Sequence, residues 1–194
     1  MSDWGAEAEL LDRARKGEEA AFLTLYERHR DCVFHFAYRM LGSTPLAEDV
    51  THDCFLSLFA KSRLFDPSRS SLRTYLCAAA RNLAYRQLRR MGREAPGAEM
   101  PEDMTVDRQA GPLTQVLTTE LADTVKRAVA SLPPLQREAV ILFEFEELSL
   151  ADIAAVSETD VGTIKSRLHR ARARLRGLLA PWMESKRQVV TRGF

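Results

Sequence analysis

Four residues share one side of an amphipathic helix that starts near Val161: Gly162, Thr163, Ser166 and Arg170. Arg167, His169 and Arg174 flank them, and Lys165, Arg172 and Arg176 lie nearer the apolar seam. Small residues and hydroxyls in the first turns let a backbone approach a ligand closely. Cations in the later turns can hold phosphate. A helix that enters the major groove needs that division of labour. A solvated basic face is the competing reading, because the macrodipole also favours cations late in a helix. The short helix and turn just before Val161, and the near absence of acids after Asp160, decide for duplex DNA.

A second set of cations lies on the stretch Leu72 to Arg90, which presents Arg73, Arg81, Asn82, Arg86, Arg89 and Arg90 with Tyr75 and Tyr85 between them. The loop before it adds Lys61, Arg63 and Arg69. Rings stack on unpaired bases and guanidinium groups hold the backbone, so the set suits single-stranded nucleic acid. The rival is a solvated helix with two half-buried tyrosines. A third cluster, Glu48, Asp49, His52 and Asp53, is mostly acidic and sits early in a helix, where the dipole alone would favour it.

No constellation for catalysis is visible, so the chain is not expected to be an enzyme. His29, Cys32, His35, His52 and Cys54 are the residues a metal would need. Yet the helix carrying the first three must also bury an apolar stripe, and no Cys-x-x-Cys pair exists. Neither metal nor cofactor is expected. Cys32, Cys54 and Cys77 read as small core residues in a reducing compartment.

Composition sets the frame. Of 194 residues, 45% are hydrophobic and 28% charged, ordinary for a soluble globular protein. Lys and Arg number 28 against 27 Asp and Glu, so the net charge of +1 does not announce nucleic acid and charge must be read along the chain. No apolar run approaches the roughly 20 residues that span a bilayer. Asp3, Glu7 and Glu9 argue against a secretory signal. A cytoplasmic protein without membrane insertion is expected.

Helical periodicity dominates, with no convincing alternating strand. The expected fold is all-α, with two helical domains joined by a flexible linker: an N-terminal helical bundle and a C-terminal four-helix domain with a helix-turn-helix. The first domain covers 1–90, an acidic linker 91–112, the second domain 113–180 and a tail 181–194. Gly92, Pro96, Gly97, Pro101, Gly111 and Pro112 make the linker unable to build a core.

In the N-terminal part, Gly17 ends a first helix and Glu18 starts a second through Tyr26. A third segment carries Val33, Phe34, Ala37 and Leu41 and stops at Gly42. Thr44 and Pro45 begin the next, which buries Ala47, Val50, Cys54 and Leu58. The helix from Leu72 is expected to bury Leu72, Leu76, Ala79 and Leu83. In the C-terminal part, Leu121, Val125, Ala128 and Leu132 share a face, Pro133 and Pro134 restart the helix, and Leu135, Ala139, Leu142 and Phe143 carry the next stripe. Glu144, Glu146 and Glu147 form its polar end. Ser149 with Asp152 makes a capping-box variant, and Asp160 caps the last helix. The seam of that helix is Val161, Ile164, Leu168, Ala171, Leu175 and Leu178.

The run from Leu132 to Leu179, with Leu132-Pro133-Pro134, Gln136-Arg137-Glu138 and Val161 to Leu168 as its most specific pieces, resembles the fourth conserved region of extracytoplasmic-function sigma factors. Ala47 to Phe59 and Leu72 to Arg90 resemble the second region of the same family. Ser157, Glu158 and Thr159 stand where the family usually has an apolar-Gly-apolar turn. His52-Asp53 replace the frequent Gln-Glu, and Phe59 and Tyr75 replace Trp.

The resemblance implies a transcription initiation factor that binds core RNA polymerase, brings it to promoters and promotes melting. Glu48, Asp49, His52 and Asp53 would dock on the clamp helices of the largest subunit, and the second domain on the flap of the second-largest. Lys61, Arg63, Arg69, Arg73, Tyr75, Arg81, Asn82 and Arg86 would hold the melted minus-ten element. Gly162, Thr163, Lys165, Ser166, Arg167, His169, Arg170 and Arg174 would read the minus-thirty-five element. The acidic linker would pass through the polymerase cleft in place of nucleic acid. An anti-sigma factor is the expected regulator. Two rivals are a stand-alone helix-turn-helix regulator and a sequestering interaction protein. Neither accounts for one block suited to duplex and another suited to single strand.

Overall fold

The computed structural model describes residues 3–60, 65–66, 70–92 and 112–191. The chain forms α1 (Asp3–Arg15), α2 (Glu19–Leu41), α3 (Thr44–Ala60), α4 (Leu72–Arg90), α5 (Pro112–Ala130), α6 (Pro134–Val140), α7 (Leu150–Val156) and α8 (Val161–Thr191). A π-helical turn, Ile141–Phe145, continues α6. No strand occurs among the described residues, as the all-α reading requires. Most of the linker, 93–111, lies outside them.

Gly17 adopts φ 92° and Gly42 φ 68°, left-handed values that close α1 and α2. The Gly42 N–H donates to the Tyr38 carbonyl at 2.7 Å. Between these glycines α2 is one unbroken helix of 23 residues, where the sequence reading divides it in two. The polar stretch Glu27 to Arg30 hides the continuity. Its buried stripe runs Ala21, Leu25, His29, Val33, Phe36, Met40, with His29 in an apolar row. His29 Nε2 lies 3.0 Å from Glu7 Oε1 of α1, so the buried ring has a partner. Burial lowers the imidazole's pKa, against the opposing pull of Glu7.

The core of the first half is Leu25, Val33, Phe36, Met40, Val50, Cys54, Leu58, Leu72 and Leu76, each no more than 1% exposed. Helix α3 buries the expected face. Helix α4 buries Leu72, Leu76, Cys77, Ala80, Ala84 and Leu88, while Ala79 and Leu83 are only half-buried. The stripe is turned because α4 is covered on two sides, by α2 and α3 and by the second half of the chain. Ser71 caps α4, accepting from the Thr74 N–H at 3.0 Å.

In the second half, Pro133 precedes α6 and Pro134 occupies its first position, where a missing N–H is tolerated. Ala139, Ile141 and Leu142 are buried, but Leu135 is exposed. Leu121 and Leu178 of the expected stripes are exposed as well, because α5 and α8 extend past the core at those positions. Helix α8 runs on through Pro181 to Thr191, beyond the expected stop at Ala180. The widened turn ends with the Glu146 N–H donating to the Ile141 carbonyl at 3.0 Å, one residue farther back than in an α-helix. It swings Glu146 inward to 3% exposure, so Glu146 does not belong to a polar end.

The two halves pack together through buried charge. Glu138 is fully buried and accepts from Arg81 Nε at 2.8 Å, the Tyr85 hydroxyl at 2.6 Å and the Ser157 hydroxyl. Arg137, beside it, donates to the Met40 carbonyl at 2.8 Å, to the Leu132 carbonyl at 3.1 Å and to the Ala130 carbonyl. One guanidinium thus satisfies carbonyls at the ends of α2 and α5 that helix geometry leaves open.

Two predictions follow from this packing. Glu158, between α7 and α8, holds φ 52°, the left-handed region that disfavours a side chain. Glu158→Gly is expected to stabilise the chain by about 1 kcal/mol, read from the urea midpoint. Glu138→Ala strands a buried guanidinium and two hydroxyls. It is expected to destabilise by about 3–5 kcal/mol in the same measurement, while a loss below about 1 kcal/mol would contradict the buried bridge.

Candidate nucleic-acid interface

Helices α7 and α8 form the helix-turn-helix. Ser149 caps α7 by accepting from the Asp152 N–H at 3.1 Å. Asp160 caps α8, with the Thr163 N–H at 2.8 Å and the Thr163 hydroxyl at 2.5 Å. Those bonds hold the Asp160 carboxyl below its ordinary pKa. Gly162 has a local reason to be glycine: a Cβ there would stand 2.9 Å from Asp160 Oδ1. Ile164, Leu168 and Ala171 fix the helix from beneath, each at most 4% exposed.

Gly162, Lys165, Ser166, His169, Arg170 and Arg174 are exposed along this helix. Thr163 is half-buried and engaged in the cap. Arg167 is turned inward: it is half-buried, its charge reaches Tyr85, and its Nη1 is buried without a hydrogen-bond partner among the described residues. Arg172 is not part of the row, since it pairs with Glu144 at 2.7 Å and lies 5.2 Å over the Phe143 ring. Phe143, Leu150, Leu168 and Leu175 line an apolar groove of about 750 Å³, rimmed by Lys165, His169, Arg172 and Arg176.

The single-strand candidates are arranged differently from the sequence reading. Lys61, Arg63 and Arg69 lie outside the described residues. Arg73 and Arg81 do not face solvent freely; both reach carboxylates of the second half. Arg73 Nη2 is 3.2 Å from Glu146 Oε2, and Arg39 Nη1 is 3.5 Å from Glu146 Oε1. Arg81 binds Glu138 and lies 5.0 Å over the Tyr85 ring. Burial, with the Glu138 charge, pushes the Tyr85 hydroxyl far above its ordinary pKa, so it acts as a donor. Tyr75 is half-buried and meets Phe65 edge-on at 5.4 Å. Arg86 pairs with Asp53 at 3.1 Å, and Asn82 is exposed, accepting from Arg81 Nη1 at 3.1 Å.

Glu48, Asp49 and His52 are exposed on α3, while Asp53 is half-buried and committed to Arg86. Sequence reasoning missed Leu56, 55% exposed and two four-residue steps along the helix from Glu48. The spacing Glu48, His52, Leu56 was the available signal. Also missed were Glu138 and Glu146 as the carboxylates that organise the cations. His29 is on Glu7 and Cys32 on Cys77, and no group of three metal-ligating side chains forms among the described residues. No helix among them is long and apolar enough to cross a membrane.

Comparison with known proteins identifies the family and the fold. The family described as Sigma-70 region 2 matches residues 25–94, and Sigma-70, region 4 matches residues 122–175. The ECF RNA polymerase sigma factor SigW of Bacillus subtilis is 30% identical over 175 residues, covering 86% of this chain and 92% of that protein. The ECF RNA polymerase sigma-E factor of Escherichia coli is 30% identical over 191 residues, covering 93% and 98%. Among solved structures, the sigma factor RpoE in complex with the anti-sigma factor NepR from Bartonella quintana superposes with a TM-score of 0.67 at 31% identity, over 82% of this chain and 96% of that one. With both regions matched in order and nearly the whole length shared, the chain belongs to the ECF RNA polymerase sigma factors and is a promoter-directing initiation factor.

Proposed function

We propose that the chain works as two grips on the promoter and one on the polymerase, divided as 1–90, a linker 91–112, 113–180 and a tail 181–194. The observation that carries the reading is the exposed row Ser166, His169, Arg170 and Arg174 on a helix held rigid by its cap and its seam. That row reads the minus-thirty-five element, with Gly162 and Lys165 beside the backbone. Glu48, Asp49 and His52, with Leu56, dock on the clamp helices of core polymerase. The cationic groove beside Phe143 takes an acidic, apolar segment, of the flap or of an anti-sigma factor. The resemblance to a sigma factor solved with its anti-sigma factor supports the latter partner.

The single-strand grip needs a further step. In the packed arrangement Arg73 and Arg81 are occupied by Glu146 and Glu138. A carboxylate and a nucleic-acid phosphate compete for the same guanidinium groups. The second half therefore swings away from α4 before Arg73, Tyr75, Arg81 and Asn82 take the minus-ten strand. Lys61, Arg63 and Arg69 add cations from the loop. Flipping a base costs a few kcal/mol, which the freed rings and guanidinium groups offset. A stand-alone regulator would use the α8 row alone. It would leave the acid-and-leucine face of α3 without a purpose.

The test mixes the purified chain with bacterial core RNA polymerase and genomic upstream fragments from the same source. Defined new start sites are expected. Glu48→Lys with Asp49→Lys is expected to weaken polymerase binding at least tenfold, and unchanged binding would sink the docking face. Arg170→Ala is expected to cost about 1–3 kcal/mol at the upstream element if Arg170 contacts a base edge. A uniform loss across promoters with a shallower salt slope would assign it to phosphate instead.

Opening has its own signature. Glu146→Gln removes the charge that holds Arg39 and Arg73 but keeps the shape. Binding of a single-stranded minus-ten oligonucleotide to the free chain is expected to tighten several-fold. No gain would show that the bridge does not restrain the grip.

A further inference from the structure

The three cysteines fall into one small region of the first half, and two of them touch. Cys32 Sγ of α2 lies 3.7 Å from Cys77 Sγ of α4, across the helix pair that forms the core. Cys32 is half-buried, while Cys77 is fully buried behind it. Cys54 is buried apart and donates to the Leu76 carbonyl at 3.6 Å. Burial pushes its thiol up to about 12, which leaves it unreactive at neutral pH.

Arg39 and Arg73 stand near Cys32, with the Glu146 carboxylate between them. Burial works against the Arg73 guanidinium, but Cys32 and Glu146 together more than offset it. Cys32 acts on Arg39 in the same sense. Both arginines are the groups that hold Glu146 across the seam. Reactive thiols are partly exposed, and buried structural ones are not.

We propose that Cys32 and Cys77 are an oxidisable dithiol that hydrogen peroxide closes into an intramolecular disulfide. The Cys32 thiolate attacks one peroxide oxygen. The O–O bond breaks, a sulfenic acid forms on Cys32, and hydroxide leaves and is protonated to water. The Cys77 sulfur then attacks the Cys32 sulfur, its proton leaves with the departing hydroxide as a second water, and the S–S bond forms. Two thiols are oxidised by two electrons and one peroxide is reduced. The sulfurs close from 3.7 Å to about 2.0 Å in that step.

The experiment uses the full chain, reduced, freed of reductant and treated with hydrogen peroxide at neutral pH, followed by intact mass and peptide mapping. The expected product has lost two hydrogens, joins the Cys32 and Cys77 peptides, and returns to the starting mass with a dithiol reductant. Cys54→Ser is expected to behave as the parent chain. Cys77→Ser is expected to stop at a sulfenic acid on Cys32 that a dimedone probe captures. Oxygen addition at Cys32 without a crosslink in the parent chain would overturn the proposal. So would a Cys32–Cys54 link, a disulfide between two chains, or no reaction. The parent chain and Cys54→Ser decide the matter even where Cys77→Ser fails to fold.

Discussion

Two carboxylates that water cannot reach set the arrangement of this chain. Glu138 is fully buried and Glu146 nearly so. A carboxylate taken out of water costs several kcal/mol unless donors meet it. Neither half of the chain supplies enough donors alone. Glu138 draws Arg81 and Tyr85 from α4, and Glu146 draws Arg39 from α2 and Arg73 from α4. The halves are therefore held in register by a requirement to satisfy charge as well as by the apolar core they share. An interface of that kind specifies register well and adds little net stability, because the desolvation of each ion offsets most of its pairing. It suits two parts that, on the proposed reading, also separate.

Much of the fold was legible because local chemistry and global packing agree. Gly42, Ser71, Ser149 and Asp160 stop or start helices where their residue types say they should. The seam Ile164, Leu168, Ala171 is buried as its spacing requires. The failures have separate causes. Helix α2 was divided because a charged run hides a buried histidine that a residue of α1 satisfies. Glu146 was placed on a polar end because a π-helical turn breaks the period on which every stripe argument rests. From sequence, Arg73 and Arg81 read as free because their partners stand 73 and 57 residues away along the chain. A charge on a helix says nothing about what comes to meet it. The resemblance did flag Gln136-Arg137-Glu138, and the structure supplies its physics: one residue ties helix ends together and the next ties the halves.

The unusual turn before α8 becomes intelligible in the same way. Where the family usually places apolar-Gly-apolar, this chain has Ser157, Glu158 and Thr159. Ser157 is buried and donates its hydroxyl to Glu138, so the first substitution adds a donor to the carboxylate that α4 also holds. Glu158 takes the left-handed backbone that glycine would take without strain. A local strain of about 1 kcal/mol is carried in a turn whose neighbour is wired into the seam. The angle between α7 and α8, and thus the aim of the recognition helix, is mechanically tied to Glu138.

That tie links the two DNA grips. The atoms that steady the helix-turn-helix turn are the atoms that occupy Arg81 and Tyr85. Under the proposed exchange, when a phosphate backbone takes the cations of α4, Glu138 loses its two donors from the first half and keeps Ser157, the remaining donor among the described residues, within its own half. A buried carboxylate left with one hydroxyl must reach solvent, so the surface around α6 has to open to water in the same step. Release of counterions from the DNA favours the exchange at low salt and weakens it as salt rises. The internal bridges, largely buried, are screened far less. Higher ionic strength therefore tilts the balance toward the packed form even though it is itself held by charge. This sign is opposite to that of an exposed ion-pair interface, and it follows from the 0% and 3% exposure of the two carboxylates.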